Sequence, residues 1–121
     1  MKIVPDNAGE GLLIRSYEPG RIRVRDKYHD CPLLISRHRV QAWLADNIET
    51  LDLAQLEPAL ADRPEVLLLG CGPVRIQPPQ RLIADLGARG IGLEIMDSGA
   101  ACRTYNILAC ENRSVVAALL A

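Results

Sequence analysis

Apolar and polar residues follow one rhythm in the first half of this chain and another in the second. Between Arg21 and Lys27, Ile22 and Val24 alternate with Arg21, Arg23, Arg25 and Lys27, the period of a strand with one face on a core. Leu12 to Tyr17 reads as a strand before it, and Glu18-Pro19-Gly20 supplies a turn, so residues 12–27 are predicted to form a β-hairpin. Residues 1–10 are polar and irregular, a loosely ordered lead-in. Pro32 opens a short apolar strand, Leu33-Leu-Ile-Ser36, and Val40 to Leu44 is a further extended piece around Trp43. Between Asp52 and Asp62, Leu53, Leu56 and Leu60 fall at three- and four-residue spacing behind Asp52 as N-cap. That is an amphipathic helix, interrupted at Pro58 unless Pro58 begins its second half.

From Glu65 onward the rhythm becomes strand, helix, strand, helix, strand. Val66 to Leu69 is a continuous aliphatic run ended by Gly70, as in a strand buried on both faces. Pro79 fits the first turn of a helix carrying Leu82, Ile83 and Leu86, and Gly90 suits the left-handed position after its end. Ile91 to Met96 is the next strand. Asp97 or Ser98 caps a helix to about Glu111, and Asn112 can take the left-handed stop. Val115 to Leu120, apolar at every position, fits an internal strand. Two strand–helix–strand passages predict a three-layer α/β core, with parallel pairing as the default and right-handed crossovers.

The sequence has 121 residues, enough for one domain that buries about two-thirds of its unfolded surface. Phe is absent, so the core is expected to be aliphatic. A net charge of -1 excludes bulk attraction to nucleic acid or an anionic membrane. No window approaches the ~18 apolar residues of a membrane span, and the first twenty residues lack the basic start and apolar core of an export signal, which points to the cytoplasm. Cys31, Cys71, Cys102 and Cys110 are then expected as thiols. Cys102 and Cys110 stand about 12 Å apart along one helix, too far to bond while it is intact.

The run from Gly90 to Leu120, with Leu67-Leu-Leu-Gly-Cys-Gly-Pro73 upstream, resembles the Mth-like domain family of unknown function. That family includes the assembly factor for mitochondrial NADH:ubiquinone oxidoreductase and the adipogenesis-associated Mth-like protein. The resemblance is good over residues 66–120 and loose before them. It implies a mixed central sheet with an extra hairpin layer, for which the residue 12–27 hairpin is the candidate. It also implies a part in the biogenesis of a membrane complex, with another protein as partner.

Candidate chemistry concentrates where strands end. Gly70-Cys-Gly-Pro73 follows a buried strand at its carboxyl end, where ligands of open α/β sheets bind. It fits a loop that admits a ligand to bare backbone, or equally a tight turn. The dinucleotide fingerprint fails, because Arg75 stands where the third glycine belongs. Family members commonly carry threonine at the place of Cys71, which weakens a nucleophilic role for the thiol. At the second site, the small residues from Asp97 and Ser98 to Ala101 leave helix amides accessible to an anion, with Arg75 and Arg103 near; capping by Asp97 or Ser98 is the structural alternative. Glu94 interrupts an apolar strand and needs solvent or a cation, Arg103 or Arg113. Tyr105 is expected in the core with its hydroxyl satisfied.

The candidate site is therefore Gly70, Cys71, Gly72, Arg75, Glu94, Asp97, Ser98 and Arg103, on the edge where both segments follow adjacent buried strands. It would serve a protein partner or, in the alternative reading, an enzyme or small-anion or nucleotide binder using a cleft between the two segments. His29, Asp30, Cys31 and His38 lack paired metal-ligand spacing, so no metal is expected, and no cofactor signature appears. The basic residues from Arg15 to Arg39 offer only Tyr17 and Tyr28 for base stacking, which argues for a solvated face rather than a nucleic-acid site.

Overall fold

The structure, a computed structural model, describes residues 11–121; the expected lead-in at residues 1–10 lies outside them. The expected N-terminal hairpin is present as β1 (Ile14–Glu18) and β2 (Arg21–Val24), and a further strand, β3 (Lys27–Asp30), extends it to a three-stranded antiparallel sheet. The alternation that reads as one strand through Lys27 is broken by a turn at Arg25, whose φ of 55° is left-handed. Nothing in the residue types marks that turn, since the position favours Gly or Asn.

Five strands form the second sheet: β4 (Leu33–Ser36), β5 (Val40–Ala42), β6 (Val66–Gly70), β7 (Gly92–Met96) and β8 (Val115–Leu119). Their order is β5-β4-β8-β6-β7. Strand β8 pairs parallel with β6 and antiparallel with β4, so the sheet is mixed and the default of parallel pairing fails on one side of β8. All five residues of β8 are buried, as the apolar run predicts. Strand β7 is an edge strand with Gly92 and Glu94 exposed, so it is not the buried neighbour expected beside β6.

Helices α1 (Leu53–Leu60), α2 (Gln80–Ala88) and α3 (Ser98–Cys110) cover the sheet. The alternating faces of the strands decide which core each helix joins. Leu67, Leu69, Val116 and Ala118 face α1 and α2 through Leu56, Leu60, Leu82 and Leu86. Leu68, Val115, Ala117 and Leu119 face α3 through Ala101, Cys102 and Tyr105, together with Ile14, Ile22 and Val24 of the small sheet. Helix α1 is opened by a capping box between Asp52 and Gln55 and contains Pro58 without ending there. Asp97 caps α3, accepting from the Ala100 N–H at 2.9 Å, and Asn112 (φ 62°) ends it in the left-handed conformation.

Two adjacent residues of α3 hold the small sheet in place. The Tyr105 hydroxyl donates to the Leu12 carbonyl at 2.7 Å. Asn106, also buried, accepts from the Ile14 N–H at 2.9 Å and donates to the Ile14 carbonyl at 2.7 Å, so its amide stands in for a neighbouring strand. The expectation for Tyr105 is met; Asn106 was not singled out.

Candidate functional site

The carboxyl ends of β6 and β7 lie side by side, in register from Val66 opposite Gly92 to Gly70 opposite Met96. The loops that follow are joined directly. The Ser98 N–H donates to the Gly72 carbonyl at 2.8 Å, and the Gly72 N–H donates to Ser98 Oγ at 2.8 Å. Ser98 Oγ then donates to the Leu120 carbonyl at 2.9 Å, so one hydroxyl with no exposed surface ties three strand ends together. The expected cleft between these segments is occupied by that contact.

Space is tight at both glycines. A Cβ on Gly70 would lie 2.7 Å from Leu119 Cδ2 and 3.0 Å from Ser98 Oγ. At Gly72, φ is 84° and a Cβ would lie 2.4 Å from the Ala121 carbonyl oxygen. Cys71 is buried; its thiol donates to the Ile76 carbonyl at 3.4 Å, and its N–H donates to the Met96 carbonyl at 2.9 Å. Burial raises its pKa above the ordinary thiol value, against smaller lowering effects from the neighbouring backbone at Ile76 and from Arg75. A neutral, inward-facing thiol is a poor nucleophile.

The remaining site residues are at the surface. Arg75 and Arg103 are exposed, as is Glu94. Arg75 Nε donates to the Ile95 carbonyl at 3.2 Å, reaching over the free edge of β7. Glu94 is met by solvent rather than by the cations proposed for it, since Arg113 approaches Glu65 instead, at 3.9 Å. At the α3 entrance, the Ser98 and Ala100 amides are already engaged by Gly72 and Asp97. Structure therefore divides the eight residues into two sets: Gly70, Cys71, Gly72 and Ser98 build the edge, while Arg75, Glu94, Asp97 and Arg103 line its outside.

Elsewhere, two of the basic residues of the small sheet, Arg21 and Arg23, meet partners close by. Arg21 forms an ion pair with Glu18 and lies over the Tyr28 ring, 4.2 Å from its centroid, and Arg23 reaches Asp26 at 3.4 Å. No group of three or more His, Cys, Asp or Glu side chains is arranged to hold a metal ion among the described residues. The carboxyl edge also exposes two apolar side chains, Leu44 after β5 (90% exposed) and Val74 after β6 (60%), which the sequence did not single out.

A mixed five-stranded sheet with three helices and an N-terminal three-stranded sheet defines an α/β protein of the Mth938-like fold. Its backbone matches a crystal structure from Bordetella parapertussis with a TM-score of 0.84 at 33% identity, over 96% of this chain and 98% of that one. A Bordetella pertussis structure described as an Mth938-like domain matches at 0.80 and 29%, over 99% and 92%. Residues 14–120 match the model of a family described as protein of unknown function (DUF498/DUF598), and the chain belongs to that family. An uncharacterised Rhodobacter capsulatus protein is 38% identical over 116 residues, 96% of this chain and 89% of its own. The 13 kDa major membrane protein of Francisella tularensis is 31% identical over 106 residues, 86% of each chain. Zebrafish (Danio rerio) NADH dehydrogenase (ubiquinone) 1 alpha subcomplex assembly factor 3 is 29% identical over 126 residues, 99% of this chain and 70% of its own. No helix among the described residues is long and apolar enough to cross a membrane.

Proposed function

We propose that this protein is a cytoplasmic binding or assembly factor that acts through contacts with another protein, made at the β7 edge. The observation that carries this reading is the edge itself. Glu65, Gly92, Cys71 and Met96 exchange hydrogen bonds across the β6 side of β7, so ladder alternation turns the backbone of Leu93 and Ile95 outward. Arg75 takes the Ile95 carbonyl, and the groups of Leu93 face out beside the exposed Glu94. An extended segment of a partner can add to such an edge, its side chains selected by Arg75, Glu94, Asp97 and Arg103. Relatives named as assembly factors support the class of function. Thiols at all four cysteines suit the cytoplasm, and the structure contains no disulfide among them.

Pull-down with mass spectrometry, run beside a thermal-shift screen of nucleotides, phosphates and coenzymes, tests this reading. A stoichiometric protein recovered by the wild type, and lost from Arg75→Ala and Arg103→Ala variants that melt normally, supports it. Full retention by both variants overturns the assignment to this edge. A ligand-specific rise in melting temperature favours the small-molecule alternative.

A further inference from the structure

We propose that the outer face of α1 and α2 is a self-association surface, on which a second copy of this chain docks about a two-fold axis. The surface is made by helices rather than by the strand edge, and the proposal does not rest on the client-binding reading. Both helices begin at the carboxyl edge of the sheet and run side by side in the same direction, because each is followed by a strand that starts at the opposite edge. Small residues are prominent among their exposed positions, Ala54, Pro58 and Ala61 on one and Ala84, Gly87 and Ala88 on the other, beside the longer Glu57, Gln80 and Arg81. The small positions let a second pair of helices approach closely between the longer side chains.

A hollow opens at each end of this helix pair. The one at the N-terminal ends is about 490 Å³, with an apolar lining that includes Leu51, Leu53 and Leu82. The one at the C-terminal ends is about 530 Å³ and includes Leu60, Pro64 and Ile91. Their charged residues are opposite in sign, one for one. Asp52, Asp85 and Arg81 line the first; Arg63, Arg89 and Glu65 line the second. A two-fold axis perpendicular to the helices lays the first hollow of one copy over the second of its mate, so a lining with more negative charges faces one with more positive charges. Docking without that reversal sets like against like, which disfavours it.

The charges still available decide the central pair. Asp52 caps α1, Arg89 is held by Glu57 at 3.1 Å, and Glu65 is near Arg113. The side chains of Asp85 (half-buried), Arg81 and Arg63 make no hydrogen bond or ion pair among the described residues, and of these Asp85 and Arg63 are opposite in sign and stand in different hollows. An Asp85–Arg63 contact between copies would form twice. Helices of eight and nine residues are only about 12–14 Å long, so the face is smaller than the ~800 Å² per partner of a stable complex. The dimer is accordingly weak, concentration-dependent and weakened by salt.

Sedimentation velocity on the full chain, from about 10 μM to about 1 mM, tests this. The wild type should move from monomer toward dimer across that range. Asp85→Arg or Arg63→Asp alone should each weaken association about tenfold or more, and the double reversal should restore it. Gly87→Gln supplies a steric test that does not rely on charge: a Cβ at Gly87 meets nothing within 4 Å, so the variant should fold and remain monomeric. Melting curves confirm folding in each case. A wild type that is monomeric throughout, a dimer indifferent to the single reversals or to Gly87→Gln, or a double reversal that fails to restore it would each overturn the proposal.

Discussion

Ser98 shows how much of this candidate site is committed to holding itself together. Its hydroxyl has partners on both sides within 2.9 Å, and removal leaves the Gly72 N–H and the Leu120 carbonyl without it inside the protein. Ser98→Ala should lower stability by about 1–3 kcal/mol in denaturant titrations, the usual cost of buried groups left unpaired. Gly72→Ala should cost more than Ser98→Ala, because a positive φ and a 2.4 Å approach to the Ala121 oxygen add strain to a clash with backbone. The cysteines differ in the same local way. Cys110 is exposed and Cys71 and Cys102 are buried, so a thiol reagent should find one fast-reacting group in the native protein and four in denaturant without reductant. A total of two or fewer would show disulfides.

Among the elements, β8 carries the clearest prediction. It lies between β4 and β6 and is buried throughout, so deleting residues 115–121 should abolish the cooperative melting transition. A truncated chain that melts like the wild type would contradict its central role. This strand was legible because Asn112 stops α3 and six apolar residues in succession suit burial on both faces. The break between β2 and β3 was not, since Arg25 adopts a left-handed turn without a residue that advertises one. The apolar content of Ile91 to Met96 masked an edge strand, although Glu94 within it was the available signal. The meeting of Gly72 with Ser98 could be anticipated from the carboxyl ends of successive strands. The mixed pairing around β8 came from family resemblance, because hydrophobic pattern carries no strand direction.

For the whole molecule, the apolar core between the main sheet, α3 and the small sheet, which takes in Cys31 and Cys102, sets the response to alkaline pH. Burial pushes the Cys31 thiol up to about 11 and the Cys102 thiol up to about 12; a neighbouring charge at Asp30 adds to the first, and Cys31 to the second. The unfolded chain ionises its thiols near pH ~8.5, while the folded chain keeps its protons well beyond that. Stability should therefore be intact below about pH 8.5 and fall as pH rises toward 11 and 12. Melting temperature against pH should decline less steeply in Cys102→Ala than in the wild type, even though the variant starts lower; equal slopes would remove Cys102 from the account.

The amide of Asn106 has a further consequence for how the protein opens. Because Ile14 gives both its backbone groups to a side chain on α3, the first residue of β1 is clamped to a helix 92 residues further along. Its amide proton should exchange with deuterium only when α3 separates from the small sheet, which places Ile14 in the slow-exchanging unit of α3 rather than with the neighbouring hairpin turns. Asn106→Ala should release that proton to fast exchange while leaving protection in β6 and β8 largely intact, so the N-terminal sheet would behave as a flap that can lift before the main sheet unfolds.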